Sequence, residues 1–195
     1  MPTPPRLIPL LAQFDFGRES LAERLVGLTD DEYLWEPVPG CWSIRPRTDG
    51  PAPLATELVG AGHWGRDRSP DNPEPAPFTT LAWRLSHLNE MLTLRADHMS
   101  GTHTITRATY AFSGTAIGAL AAYHEAASAW RDVLTGAAEA DLDEVGRSTY
   151  PYGSDPDVPF LQTVWWMNEE LLHHRGEIAL LRDLYRQRDE LRSTR

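Results

Sequence analysis

One stripe of residues near the C-terminus constrains this chain more than any other feature. Phe160, Val164, Met167, Leu171, His174, Ile178, Leu181 and Tyr185 follow one another at spacings that alternate four and three. Only an α-helix brings such positions onto one face, and a face so regular is the inward side of a helical bundle. Proline suits a first turn, so this helix starts at Pro159 or Phe160 and runs to about Arg188. Every member of the stripe is apolar or aromatic except His174.

Three further segments share the period. The first, from about Pro5 to Leu28, has the seam Leu7, Leu11, Phe14, Leu21, Leu25, Leu28, with Gly17 as the place for a bend. A short helix follows, with Thr29 and Glu32 spaced as a capping box. The second long helix starts at Thr79 or Thr80 and ends near Gly101. The third runs from near Ser113 to about Leu134, stopped by Gly136, with the seam Ala116, Leu120, Tyr123, Ala127, Trp130, Leu134. No segment alternates with period 2. The pattern predicts an all-α fold: a four-helix bundle with long connections between helices 1 and 2 and between helices 3 and 4. The 195 residues are expected to form a single domain. Residues 37–77 form a proline- and glycine-rich connection, too long for a compact domain to carry idly. Residues 189–195 read as a frayed tail.

Composition excludes several function classes. The net charge is −10, and neither a basic run nor a basic patch is visible, which argues against nucleic acid and anionic membranes. No apolar run reaches spanning length and no signal-peptide core opens the chain, so the expected location is cytoplasmic. The single cysteine, Cys41, fits a reducing compartment; with no histidine close in sequence it reads as inert. All 18 basic residues are arginine and alanine is abundant, which points to a GC-rich genome such as an actinobacterium's.

The chemistry sits where polar residues enter apolar seams. Glu170 lies one turn before His174 and projects beside it. A carboxylate buried there costs several kcal/mol unless something pairs with it. The second helix carries two stripes: Leu81, Leu85, Leu88, Leu92, and Trp83, His87, Met91, Leu94, His98. A helix apolar on two sides is largely buried, and His87 with it. His98 stands about 16 Å along the helix from His87, too far to share a small site. His87, Glu170 and His174 are therefore three ligand-type side chains from two helices facing one core. Two imidazoles and a carboxylate suit zinc or nickel, and three protein ligands leave a coordination position open. Two plainer readings stay beside this one: His174 as a hydrogen-bonded core histidine, and His174 with Glu170 as a closed pair.

Other residues take subordinate roles. Glu177, three positions beyond His174, is placed to hold its ring from behind, or to be a solvated charge. His173 points about 100° away from His174. Arg18, in the first helix's seam, could clamp a substrate carboxylate or close an internal ion pair. Trp83 and His124 are the other residues set down for substrate binding. Trp42 is expected to dock the long connection onto the bundle. His63 and His103 have no spacing that recruits them. A di-iron carboxylate centre needs Glu-x-x-His on two helices and an inward Glu on the others; only Glu170 and His173 fit, the order of His87 and Glu90 is reversed, and Glu19, Glu23 and Glu125 lie off their seams.

With these residues in place, "WRLSHL" on the second helix and "EELLHHRGEIALLRDLY" on the fourth resemble the DinB-like superfamily of metal-binding four-helix bundles. The stretch "LTDDEYLWEPVPGCWSIRPR" resembles that superfamily's long-loop subgroup. The resemblance covers nearly the whole chain. It implies one metal-binding histidine on the second helix, matched by His87, and a pair four apart on the fourth, matched by Glu170 and His174. The Glu-x-x-x-His variant is similar to mycothiol-dependent maleylpyruvate isomerases, whose triad is two histidines and a glutamate. The function so implied is a metal-dependent thiol transferase or isomerase, using a low-molecular-weight thiol such as mycothiol on a small electrophilic molecule. The segments around Trp42 and Tyr150 would cover its mouth. The alternative is a non-enzymatic metal- or ligand-binding stress-response module. Pairing into a homodimer suits either.

Overall fold

The computed structural model describes residues 2–71, 73–147 and 157–189. The first long helix, α1 (Ile8–Arg24), takes Pro9 into its first turn, where the missing N–H costs nothing. It is unbent at Gly17. That residue instead lets α1 approach the last helix closely: an added Cβ would stand 3.0 Å from Leu171 Cδ2. The short α2 (Asp30–Tyr33) is capped by Thr29, whose hydroxyl accepts from the Glu32 N–H. The second half of the expected capping box does not form. The Glu32 carboxylate is buried and accepts Nε and Nη2 of Arg182 at 2.7 and 2.9 Å. A charged partner in the core outcompetes the local backbone N–H for it.

The largest correction to the all-α expectation lies in the connection. Three short strands, β1 (Ile44–Pro46), β2 (Glu57–Val59) and β3 (Trp64–Arg68), form an antiparallel sheet in the order β1-β3-β2. Arg66 pairs with Ile44 on one side and Val59 on the other. The strands were illegible because their inward residues are charged. Asp67 is fully buried and accepts the N–H groups of Ser43 and Ala52, each at 2.8 Å, and Arg45 Nε at 3.0 Å. Arg66 is also buried and pairs with the fully buried Glu90. Ion pairs thus stand where period-2 alternation would show apolar residues. Pro46 is tolerated because β1 is an edge strand.

The remaining helices are α3 (Leu81–Ser100), α4 (Ala116–Gly136) and α5 (Phe160–Arg186). Thr80 caps α3 through the Trp83 N–H. Thr115, not Ser113, caps α4; the Ser113 hydroxyl is taken by the Thr115 N–H. α5 packs between α1 and α3, α3 pairs with α4, and α4 returns to α1. The four long helices enclose one apolar core, with Phe14, Leu85, Trp130 and Phe160 fully buried. Each such side chain contributes roughly 1.5–3 kcal/mol by leaving water. The stripe on α5 is buried from Phe160 to Leu181, and Tyr185 is half-buried. Among the described residues no helix is long and apolar enough to cross a membrane. Tyr150 and the tail from residue 190 lie outside the described residues.

Candidate metal centre

α3 and α5 run side by side, and their register brings three side chains together. Glu170 Oε2 lies 3.4 Å from Nε2 of His87 and 3.4 Å from Nε2 of His174. The two imidazoles stand nearly perpendicular, at 81°, with centroids 5.0 Å apart. One ligand atom from each of the three residues falls within 4.8 Å of the others. Tetrahedral ligands held about 2.1 Å from a zinc ion stand roughly 3.4 Å apart, so the donor set fits a divalent cation.

The protonation pattern favours a cation further. Burial pushes His87 from 6.5 down to about 4, against the opposing pull of Glu170. Its neutral form has a lone pair to offer. Hydrogen bonding from His174 and His87 holds the Glu170 carboxyl well below the usual range, so it is charged. Behind His174, Glu177 Oε2 lies 2.6 Å from Nδ1. A carboxylate at that distance takes the Nδ1 proton in a hydrogen bond, and the Nε2 lone pair of the neutral ring then faces the Glu170 carboxylate. Two acceptors face each other stably only with a proton or a cation between them. The closed His–Glu pair answers this with a proton, the metal reading with an ion.

The walls come from α3 and the sheet. Trp83 stacks on His87, centroids 5.5 Å apart at 18°, and its Nε1 donates to the Asp67 carbonyl at 2.9 Å. Trp42 lies 6.4 Å from Trp83 and joins β-type backbone bonds to Phe78 and Thr80, so it docks the connection onto α3. The guanidinium of Arg66 stands over the other rings of this wall, 5.2 Å from both Trp83 and Phe112. Arg84, one turn before His87, reaches across to Glu177. No sequence signal singled out Arg84: an arginine on the polar side of a helix is ordinary, and only the register of α3 against α5 gives it a partner.

Other expected residues go elsewhere. Arg18 is engaged by Asp15 at 2.7 Å and Glu19 at 3.0 Å on its own helix, so the substrate clamp gives way to the ion pair. His124 is exposed on α4 against Tyr123. No contact among the described residues joins either to the centre. His173 is exposed, though its ring stacks on His174. His98 and His103 pair with each other, centroids 5.1 Å apart, and His63 lies against Trp64. Glu90 is committed to Arg66 and Arg107, which leaves the di-iron arrangement without a carboxylate on α3. Cys41 is buried, and burial pushes its thiol up, away from thiolate chemistry.

A helical chain with two imidazoles and a carboxylate converging between adjacent helices belongs to a class of bundle proteins built to hold a metal at mid-helix. The family profile of the DinB superfamily matches residues 54–178, a span that contains all three converging residues. The chain belongs to the DinB superfamily. No curated protein and no solved structure matches it.

Proposed function

We propose that this chain is a metal-dependent thiol transferase or isomerase, folded as a DinB-type four-helix bundle and acting on a small electrophilic molecule. His87, Glu170 and His174 would hold a divalent ion, zinc or nickel, and leave at least one position open to an outside group. Such an ion supplies Lewis acidity, which lets a low-molecular-weight thiol such as mycothiol lose its proton near neutral pH. The chain's own residues do the rest. Burial keeps His87 unprotonated and ready to ligate. Glu177 fixes the ring of His174 through Nδ1. Trp83 presents an apolar wall beside His87, with Trp42 behind it. The segment containing Tyr150 would complete the cover.

The observation that carries this reading is the facing of His174 Nε2 and Glu170 Oε2 while Nδ1 is engaged by Glu177. The test is metal analysis of the purified protein beside His174→Ala, followed by thiol conjugation with mycothiol and model electrophiles. About one equivalent of metal, lost in the variant, together with turnover supports the proposal. Full metal content with no turnover across a broad panel turns the reading to a metal- or ligand-binding module. We extend the proposal to a cytoplasmic protein that meets small molecules rather than nucleic acid or membrane, in keeping with its net charge of −10, and that pairs as a homodimer.

A further inference from the structure

Arg84 on α3 and Glu177 on α5 meet at the back of His174, and both compete for the same nitrogen. Glu177 Oε2 lies 2.6 Å from Nδ1, and Arg84 Nη1 lies 3.4 Å from it. Arg84 Nη1 is itself bonded to Glu177 Oε2. A carboxylate can only accept and a guanidinium can only donate, so the two make opposite demands on the imidazole. The shorter contact prevails: Nδ1 donates to Glu177, and Nε2 is left as the acceptor that faces Glu170 and His87. Glu177 has a second attraction, since its Oε1 lies 3.3 Å from the exposed His173. The bond from Arg84 holds Oε2 against that pull.

We propose that Arg84 and Glu177 act as one unit that sets which nitrogen of His174 carries its proton, Arg84 being a positioning residue that works through Glu177. The inference rests on the metal reading for its purpose, because only Nε2 faces the proposed ion. It concerns the tautomer of the neutral ring and not its charge. It also assigns Arg84 a sign that depends on its partner. With Glu177 present, Arg84 supports the metal-ready tautomer. With Glu177 removed, Arg84 is the remaining neighbour of Nδ1, donates to it, and drives the proton onto Nε2, where it blocks the ligand position.

The test uses the metal-free full chain labelled with nitrogen-15 in histidine, and then cobalt(II) as the probe ion. The variants are Glu177→Ala, Arg84→Met, Arg84→Lys and the double variant Arg84→Met/Glu177→Ala, each checked for a cooperative thermal transition. We expect the Nδ1–H tautomer in the natural chain, a mixture in Arg84→Met with partial return in Arg84→Lys, and Nε2–H in Glu177→Ala. Cobalt affinity should fall about 10–100-fold in Glu177→Ala, the usual cost of losing such a partner, and recover in the double variant. Losses that simply add, or an Nε2–H tautomer in the natural chain, overturn the inference. Should the tautomer pattern hold while no cobalt binds, the metal reading fails and the unit stands. If cobalt binds without the tautomer pattern, the unit fails and the metal reading stands. If Arg84→Met does not fold, Arg84→Lys against Glu177→Ala decides by the same two readouts.

Discussion

Glu177 stands one helical turn beyond His174, with its Oε2 2.6 Å from the imidazole Nδ1. That contact turns the other nitrogen of the ring toward Glu170 and, across the helix interface, toward His87. The centre therefore depends on the register of α5 against α3 and on the protonation of a few groups.

Acid should weaken the metal-free protein in a defined window. Burial moves His87 from 6.5 down to about 4, so between those values the unfolded chain binds more protons than the folded one. Stability then rises with pH across that window and is lost as pH falls through it. Glu170, held low by His174 and His87, adds a loss of the same sign below its ordinary 4.5. Denaturant unfolding in the presence of a chelator should show stability falling by up to about 1.4 kcal/mol per pH unit from His87 alone. His87→Gln should flatten that limb; an unchanged slope would show that His87 is not the group responsible.

Gly17→Ala sets two effects against each other. Alanine gains about 1 kcal/mol of helix propensity over glycine. Its Cβ would meet Leu171 at 3.0 Å and Leu172 at 3.3 Å, and overpacking of that kind costs about 1–3 kcal/mol. We expect net destabilisation of about 1 kcal/mol in equilibrium unfolding, and a stabilised variant would show that α1 and α5 have room to part.

The junction of α2 with α5 should be far more sensitive to Glu32 than to Thr29. Glu32→Ala strands Arg182, which is 2 % exposed, without its carboxylate. Removing one partner of a buried pair costs about 3–5 kcal/mol, whereas Thr29→Ala removes one cap bond worth about 1 kcal/mol. Thermal denaturation of the two variants should rank them in that order, and equal losses would refute the buried-pair account.

Asp67→Asn keeps the shape of the sheet's hub but exchanges one acceptor oxygen for a donor. Its carboxylate serves Ser43, Ala52 and Arg45 at once. The variant should lose about 2–4 kcal/mol locally, since a buried donor facing donors carries the full cost of an unmade bond. Limited proteolysis should then cut between residues 41 and 68 while the helical circular dichroism persists. Global unfolding without prior cleavage would mean that the sheet and helices form one cooperative unit.

The sequence by itself determined the helices, because their signals are local. A seam at spacings of four and three, and a threonine just ahead of it at Thr80, depend on nothing beyond a few turns. The oddity of His174 in an apolar stripe, with Glu170 a turn away, was legible for the same reason. The start of α4 was misplaced by two residues because Ser113 and Thr115 are both good caps, and only their mutual hydrogen bond decides between them.

Tertiary structure alone decided what depends on distant partners. The heights of His87 and His174 follow from how α3 slides along α5, which no periodicity within either helix records. The sheet from Ile44 to Arg68 is held by Asp67, Arg66 and Glu90, buried charges whose partners lie up to two dozen residues away. Arg84, rather than Arg18, serves the centre, because a charged side chain is placed by the opposite charge it meets, and that meeting is a property of the packed chain.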